Sequence, residues 1–121
     1  MKKIILVEDD EIVARMYEKV FSLGGFQVAT ASDGREGLDK IKQILPDLVI
    51  LDVMMPKMNG LEVLHELKLN QSTKDIPVVM LTNLNLPEEV RLALESGAAR
   101  YLVKCNNEPK EVFEIVQKLL E

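Results

Sequence analysis

The stretch "LVILDVMMPKMNG", residues 48–60, decides the fold, because an apolar run ends in one acid and then in a turn containing Pro, Asn and Gly. An unbroken apolar run of this length is typical of a strand that is buried on both faces, as in a parallel sheet. An unpaired buried carboxylate is costly. Asp52 therefore either reaches solvent at the end of the strand or meets a cation, and the rest of the sequence must decide which.

Strand and helix patterns alternate along the whole chain. Strands are predicted over residues 3–8, 26–31, 47–53, 76–82 and 100–104. Helical spacing predicts a first helix through Ile12, Met16 and Val20, with Val13, Tyr17 and Phe21 beside them, and a second through Leu38, Ile41 and Leu45. Gly60 begins a third helix, residues 87–97 form a fourth, and Pro109 begins a fifth with Val112, Phe113, Val116 and Leu119 on one face.

Five strands alternating with five helices predict an α/β fold. The expected architecture is a doubly wound five-stranded parallel sheet, covered by helices on both faces and connected by right-handed crossovers. The 121 residues fit a single domain, residues 1–121, which would bury about two-thirds of the surface that the unfolded chain exposes.

The composition excludes several classes of function. A net charge of −5 opposes direct nucleic-acid binding, which needs clustered Lys and Arg. No apolar run approaches the roughly 20 residues of a membrane-spanning helix, so no membrane contact is expected. With one cysteine and no signal-peptide pattern, the sequence predicts a cytoplasmic protein.

Charged and hydroxyl residues stand at the carboxyl ends of four predicted strands. They are Glu8 and Asp9, Asp52, Thr82, and Lys104. Because doubly wound sheets place their sites at this edge, we expect these side chains to converge. Two carboxylates about 4 Å apart repel by roughly 4 kcal/mol at an effective dielectric constant of 20, so three together favour a bound cation or a raised pKa. Carboxylates with an open, solvated position suit Mg²⁺.

These residues resemble the receiver domain of two-component response regulators. The resemblance covers essentially the whole chain and rests on "ILVEDD" at residues 5–10, "LDVMMPKMNG" at 51–60, "LTN" at 81–83 and "YLVK" at 101–104. It implies a flavodoxin-like sheet with the strand order 2-1-3-4-5. It also implies a chemotaxis-receiver-like signalling domain, which catalyses only its own phosphorylation and dephosphorylation.

The resemblance implies a role for each matching residue. Asp52 would accept a phosphoryl group from a histidine kinase phosphohistidine. Mg²⁺ would be held by Asp52, Asp9, a nearby Glu8 and the backbone carbonyl of Met54. Lys104 and Thr82 would contact the phosphoryl oxygens, Tyr101 would be an aromatic switch, and Pro56 and Gly60 would shape the loop after Asp52.

The resemblance also implies the partners. The phosphodonor would be a sensor histidine kinase or a phosphotransfer protein. The receiving partner would be a downstream effector protein or a fused output domain. It would read the surface formed by the fourth helix, the fifth strand and the fifth helix, roughly residues 87–121.

Several positions leave alternatives open or depart from the family pattern. We take the acidic pair as Glu8 and Asp9, with Asp10 as the N-cap of the first helix; the alternative pair is Asp9 and Asp10. Most receivers have a proline in a cis peptide after the lysine. Cys105 stands there in this chain, so the Lys104–Cys105 peptide could be either cis or trans. For the Cys105 side chain we predict a structural rather than a reactive role. Asn83 replaces a small residue and would narrow the approach to the phosphoryl site.

Three other functions fit parts of the pattern less well. A Mg²⁺-dependent phosphatase with an aspartate nucleophile usually has a second acid two residues later, where Met54 stands. A flavodoxin-like cofactor binder would need a phosphate-binding loop after the first strand, where "EDDE" would repel phosphate. A degenerate receiver that only docks or dimerises would lack Asp52, the acidic pair or Lys104.

Overall fold

The computed structural model describes residues 1–121 and contains five strands and five α-helices in alternation. The strands are β1 (Lys3–Val7), β2 (Gln27–Ala31), β3 (Leu48–Leu51), β4 (Val78–Thr82) and β5 (Arg100–Val103). The helices are α1 (Glu11–Leu23), α2 (Gly34–Ile44), α3 (Gly60–Leu69), α4 (Pro87–Glu95) and α5 (Pro109–Leu119), and a short 3-10 turn spans Lys104–Asn106. All strand pairs are parallel, in the order β2-β1-β3-β4-β5, which confirms the predicted fold.

The two faces of the sheet carry separate hydrophobic cores. On β1, Ile5 and Val7 pack with residues of α2 and α3, whereas Ile4 and Leu6 pack with residues of α1 and α5. Successive side chains of a strand point to opposite faces, so a strand covered on both sides must be apolar throughout. Every residue of β3 is fully buried, which explains the unbroken apolar run before Asp52.

Helix α1 buries only some of the apolar residues whose spacing predicts it. Ala14, Tyr17 and Phe21 are buried, whereas Ile12 is 81% exposed and Met16 is 42% exposed. A helix on a sheet buries one stripe of residues, and Ile12 and Met16 lie outside that stripe. The spacing predicted the helix correctly but not which of these residues face the sheet, because apolar residues occupy more than one side of this helix.

Two further residues predicted on apolar helix faces lie at helix ends. Leu45 follows α2 in a left-handed conformation, with φ of 53°, and is 49% exposed. The α conformation is disfavoured for a residue that precedes a proline, so the helix ends before Leu45 and its side chain leaves the core. Leu119, the last residue of α5, is also exposed. None of the helices is both long and apolar enough to cross a membrane.

Candidate functional site

Three carboxylates meet at the carboxyl edge of the sheet. Glu8 and Asp9 follow β1, and Asp52 follows β3, which pairs with β1. One carboxylate oxygen of each residue lies within 4.8 Å of the others. Glu8 and Asp52 are buried, whereas Asp9 is exposed. The cluster therefore has a buried floor and one side open to solvent.

Lys104 extends its side chain into this cluster. Its Nζ donates a hydrogen bond to Asp52 Oδ2 at 3.1 Å and another to Glu8 Oε1. Burial by itself would lower the pKa of Lys104, but the hydrogen bond to Glu8 and the charge of Asp52 raise it above its ordinary value. The lysine therefore stays protonated at neutral pH and neutralises part of the acidic charge.

Glu8 and Asp10 have different partners although they are close in the sequence. Burial raises the pKa of Glu8, and the hydrogen bonds from Lys104 and from the Asp10 backbone N–H partly offset this effect. The Asp10 side chain caps α1, because its Oδ1 accepts from the backbone N–H groups of Ile12 at 3.0 Å and Val13 at 3.2 Å. The predicted N-cap is confirmed, and the acids that meet Asp52 are Glu8 and Asp9.

The loop after β3 holds Asp52 in place through close backbone contacts. The Asp52 N–H donates to the carbonyl of Val7 at 3.1 Å, and the Met54 N–H donates to Asp52 Oδ1 at 3.3 Å. A Cβ atom at Gly60 would lie 2.0 Å from the Asp52 carbonyl oxygen, so only glycine fits at the start of α3. The Gly60 N–H also donates to the Val53 carbonyl at 2.8 Å, which closes the loop.

Thr82 and Tyr101 hold the same residue of the β4–α4 loop. The buried Thr82 Oγ1 accepts from the Leu84 N–H at 3.2 Å, and Tyr101 Oη donates to the Leu84 carbonyl at 2.7 Å. Tyr101 is half-buried. Leu84 was not predicted, because its two bonds use backbone atoms and leave no signal in the residue type.

The turn after Lys104 settles two of the open positions. No peptide bond is cis, so the Lys104–Cys105 peptide is trans, and Lys104 still reaches Asp52. The Cys105 thiol is exposed, so the prediction of a structural cysteine was wrong: the turn directs this side chain away from the core. Asn83 accepts a hydrogen bond from the Cys105 N–H at 3.1 Å through its Oδ1 atom.

A groove of about 680 Å³ adjoins the acidic cluster. It lies between the loop after β3, the start of α3 and the start of α4, and Asp9 forms part of its wall. The side chains of Met54 and Leu86 line it and are largely exposed. The sequence did not predict this groove, because its wall combines residues from separate loops.

Known proteins resemble this chain in sequence and in fold. The profile of the response regulator receiver domain family matches residues 4–117. The alkaline phosphatase synthesis transcriptional regulatory protein PhoP of Bacillus subtilis is 39% identical over 119 residues, which are 98% of this chain and 48% of that protein. The chain spans about half the length of the curated relatives it matches.

Solved structures agree with the family profile. The chemotaxis protein CheY4 of Vibrio cholerae superposes with a TM-score of 0.91 and 32% identity, and the match covers 99% of each chain. The Mn²⁺-bound form of the response regulator Rcp1 superposes with a TM-score of 0.85 and 32% identity, over 98% of this chain and 91% of that one. The chain therefore belongs to the receiver domain family of response regulators, the signalling domains of two-component systems.

Proposed function

We propose that this receiver domain accepts a phosphoryl group on Asp52 and works as a phosphorylation-dependent switch. One observation carries the proposal: the buried Asp52 carboxylate lies 3.1 Å from the Lys104 ammonium and within 4.8 Å of two other carboxylates. Such a carboxylate suits the role of a nucleophile that becomes phosphorylated. The cation on one side can neutralise the phosphoryl dianion, and the other side, with the two further carboxylates, is open to solvent.

The proposed donor is a phosphohistidine of a sensor histidine kinase or a phosphotransfer protein. An Asp52 carboxylate oxygen attacks phosphorus and forms the new P–O bond. The P–N bond breaks, and its electron pair returns to the imidazole nitrogen of the donor. Phosphoryl transfer depends mainly on positioning and on charge neutralisation, and the Lys104 ammonium is placed to neutralise the transferred oxygens.

The acidic cluster fits Mg²⁺. Its donors are carboxylate oxygens, which hard divalent cations prefer. The three carboxylates and the one ammonium leave two negative charges, which a dication balances. Glu8, Asp9 and Asp52 would hold the ion together with the backbone carbonyl of Met54. When bound, Mg²⁺ would stabilise the charge on the phosphoryl oxygens. The Mn²⁺-bound form of Rcp1 supports a divalent cation in this family.

Labelling with acetyl phosphate and Mg²⁺ tests the phosphoacceptor. We expect intact-mass and peptide analysis to find one phosphoryl group on Asp52, and none on Asp52→Asn or after chelation with EDTA. Asp10→Asn is the matched control, because it removes a neighbouring charge and asparagine still caps the helix. Labelling of Asp52→Asn at the wild-type level would refute the proposal.

We propose further that α4, β5 and α5, within residues 87–121, form the surface that reports phosphorylation. A phosphoryl dianion can accept a charge-assisted hydrogen bond from the Thr82 hydroxyl, and a turn of the side chain towards the dianion would draw Oγ1 away from the Leu84 N–H that now donates to it. Movement of Leu84 then releases Tyr101, whose hydroxyl it binds. Helix α4 can respond because Ala93 is its single buried residue.

Amide exchange before and after labelling tests this output surface. We expect changes over residues 87–121 in the wild type and smaller changes in Thr82→Ala, although Asp52 is still labelled. Thr30→Ala, on β2 at the far side of the sheet, is the control and should respond as the wild type does. Changes confined to the loops around Asp52 in the wild type would rule out the switch and leave the phosphoacceptor intact.

The partner of this surface is proposed to be a downstream effector protein or an output domain fused to the receiver unit of residues 1–121. The Bacillus subtilis relative is named a transcriptional regulatory protein, and the Vibrio cholerae relative is named a chemotaxis protein. The net charge of −5 disfavours direct contact of residues 1–121 with nucleic acid. We therefore assign any DNA contact to the partner.

A further inference from the structure

Asn83 joins the two loops that carry Thr82 and Lys104. Its Oδ1 accepts a hydrogen bond from the backbone N–H of Cys105 at 3.1 Å. The last paired residues of β4 and β5 are Thr82 and Val103, so this bond lies just beyond the end of the strand pair. A side-chain oxygen thus extends the connection between the two strands towards the functional site.

No other hydrogen bond joins residues 83–86 to residues 104–108. The turn after β5 is held internally by Asn107, whose Nδ2 donates to the Val103 carbonyl at 3.0 Å. The exposed Cys105 thiol contacts the adjacent Asn106 side chain at 3.7 Å. The bond from Cys105 to Asn83 is therefore the polar contact that fixes this turn relative to the β4–α4 loop.

The backbone N–H that Asn83 binds belongs to Cys105, the residue directly after Lys104. A lysine ammonium is carried by a flexible four-carbon side chain, so its mean position depends on where the backbone is held. Here the ammonium must reach Asp52 Oδ2, at 3.1 Å, from the turn after β5, although β4 lies between β5 and β3. A loosened turn would let the ammonium spend less time at that distance.

We propose that Asn83 is a positioning residue for Lys104, an inference that rests on the proposed phosphoryl transfer to Asp52. Asn83 accepts a hydrogen bond from the Cys105 N–H and so holds the Lys104 backbone in a position from which the ammonium faces the Asp52 carboxylate. This role depends on two features of this chain together: an amide side chain after Thr82, and a residue after Lys104 that has a backbone N–H, which proline lacks.

A purely steric role for Asn83 predicts a different result. The side chain is exposed and adjoins Thr82, so it could act only by obstructing the approach of the phosphodonor. Its removal would then lower the donor concentration needed for half-saturation and leave the saturating rate unchanged. Loss of positioning instead lowers the saturating rate, because the transfer step itself becomes slower.

The first experiment measures hydrogen exchange of the Cys105 amide by NMR in the unphosphorylated domain. We expect exchange about 2- to 10-fold faster in Asn83→Ala, the range for one neutral hydrogen bond, and wild-type protection in Asn83→Asp, which keeps an acceptor oxygen. Asn106→Ala is the matched control, because it removes an exposed amide of the same turn that does not reach the β4–α4 loop. Equal exchange in the wild type and Asn83→Ala would overturn the inference.

The second experiment measures the rate of Asp52 labelling against acetyl phosphate concentration at fixed Mg²⁺. For Asn83→Ala we expect a saturating rate about 2- to 10-fold lower, with half-saturation changed by less than about twofold, and wild-type values for Asn106→Ala. Because Asn83 is exposed, the variant should fold, which thermal unfolding checks. An unchanged or faster saturating rate would overturn the positioning role alone. A wild type that is not labelled would overturn the proposed function and this inference together.

Discussion

In the absence of divalent cations, Asp52→Asn is expected to stabilise the domain. At an effective dielectric constant of about 20, the Lys104 ammonium at 3.1 Å attracts the Asp52 carboxylate by about 5 kcal/mol. Glu8 and Asp9, whose oxygens lie within 4.8 Å, each repel it by at least about 3.5 kcal/mol. Solvent screens part of the repulsion from the exposed Asp9. Burial of Asp52 adds to the free-energy cost of keeping this carboxylate charged in the folded state. We therefore expect asparagine to increase the free energy of unfolding by about 1–2 kcal/mol.

Thermal and urea unfolding in EDTA measures this difference. A gain of about 1–2 kcal/mol corresponds to a rise in Tm of about 3–10 °C for a domain of this size. Asp39→Asn is the matched control, because the exposed Asp39 side chain forms no hydrogen bond or salt bridge and the substitution removes the same charge. The control should leave Tm unchanged.

Adding Mg²⁺ should reduce or reverse the advantage of Asp52→Asn. A ligand that binds only the folded state stabilises it by about 1.4 kcal/mol at ten times its Kd. The wild type gains this stabilisation in full, whereas the variant has lost one carboxylate of the cluster and binds more weakly. A Tm for Asp52→Asn below that of the wild type in EDTA would refute the reasoning, because attraction to Lys104 would then exceed the repulsion.

Two other predictions concern single acids. Asp9→Asn should reduce the stabilisation by Mg²⁺, measured as the shift in Tm. Asp10→Asn should leave that shift unchanged, because the Asp10 carboxylate caps α1 and does not face the cluster. Equal shifts in Asp9→Asn and the wild type would contradict the ligand assignment. Asp33 caps α2, and its hydrogen bond from the Glu36 N–H lowers its pKa below the ordinary 3.8. The stabilisation by Asp33 is therefore complete above pH 3.8 and is lost as the pH falls through the lower folded-state pKa. In urea unfolding, the difference between the wild type and Asp33→Ala should shrink below this pH. The stability of Asp33→Asn relative to Asp33→Ala should not change with pH, because an asparagine cap does not titrate. If the difference in stability between the wild type and Asp33→Ala is also constant across this pH range, the carboxylate charge is not involved.

The fold could be predicted because the sequence marks the ends of its strands with polar residues. Each of the central strands is apolar on both faces and then meets an acid or a hydroxyl, as β3 meets Asp52 and β4 ends at Thr82. The buried face of α1 could not be predicted, because Ile12 and Tyr17 are both apolar enough for a core. Helical spacing cannot tell which of them faces the sheet, and the packing of the helix decides it.

The acidic cluster and Lys104 could be predicted because parallel topology brings strand ends to one edge, whatever the loops do. The contacts of the β4–α4 loop could not be predicted. Leu84 binds Thr82 and Tyr101 through its backbone, and Asn83 binds the backbone of Cys105. Bonds to backbone atoms depend on how two loops lie against each other, and residue types do not encode that arrangement locally.

The hydrogen bonds of Thr82 limit how much of the proposed switch this residue can drive. If the Thr82 side chain turns to donate a charge-assisted bond to a phosphoryl oxygen, Oγ1 gives up the neutral bond, 3.2 Å long, that it accepts from the Leu84 N–H. The neutral bond contributes about 1 kcal/mol and the charge-assisted bond about twice as much, so the exchange gains about 1 kcal/mol, a shift of about fivefold in the equilibrium. Reversing a population of 1:99 takes about 5.5 kcal/mol. Most of the free energy must therefore come from Lys104 and the metal, which is why Thr82→Ala is expected to weaken the response over residues 87–121 without abolishing it.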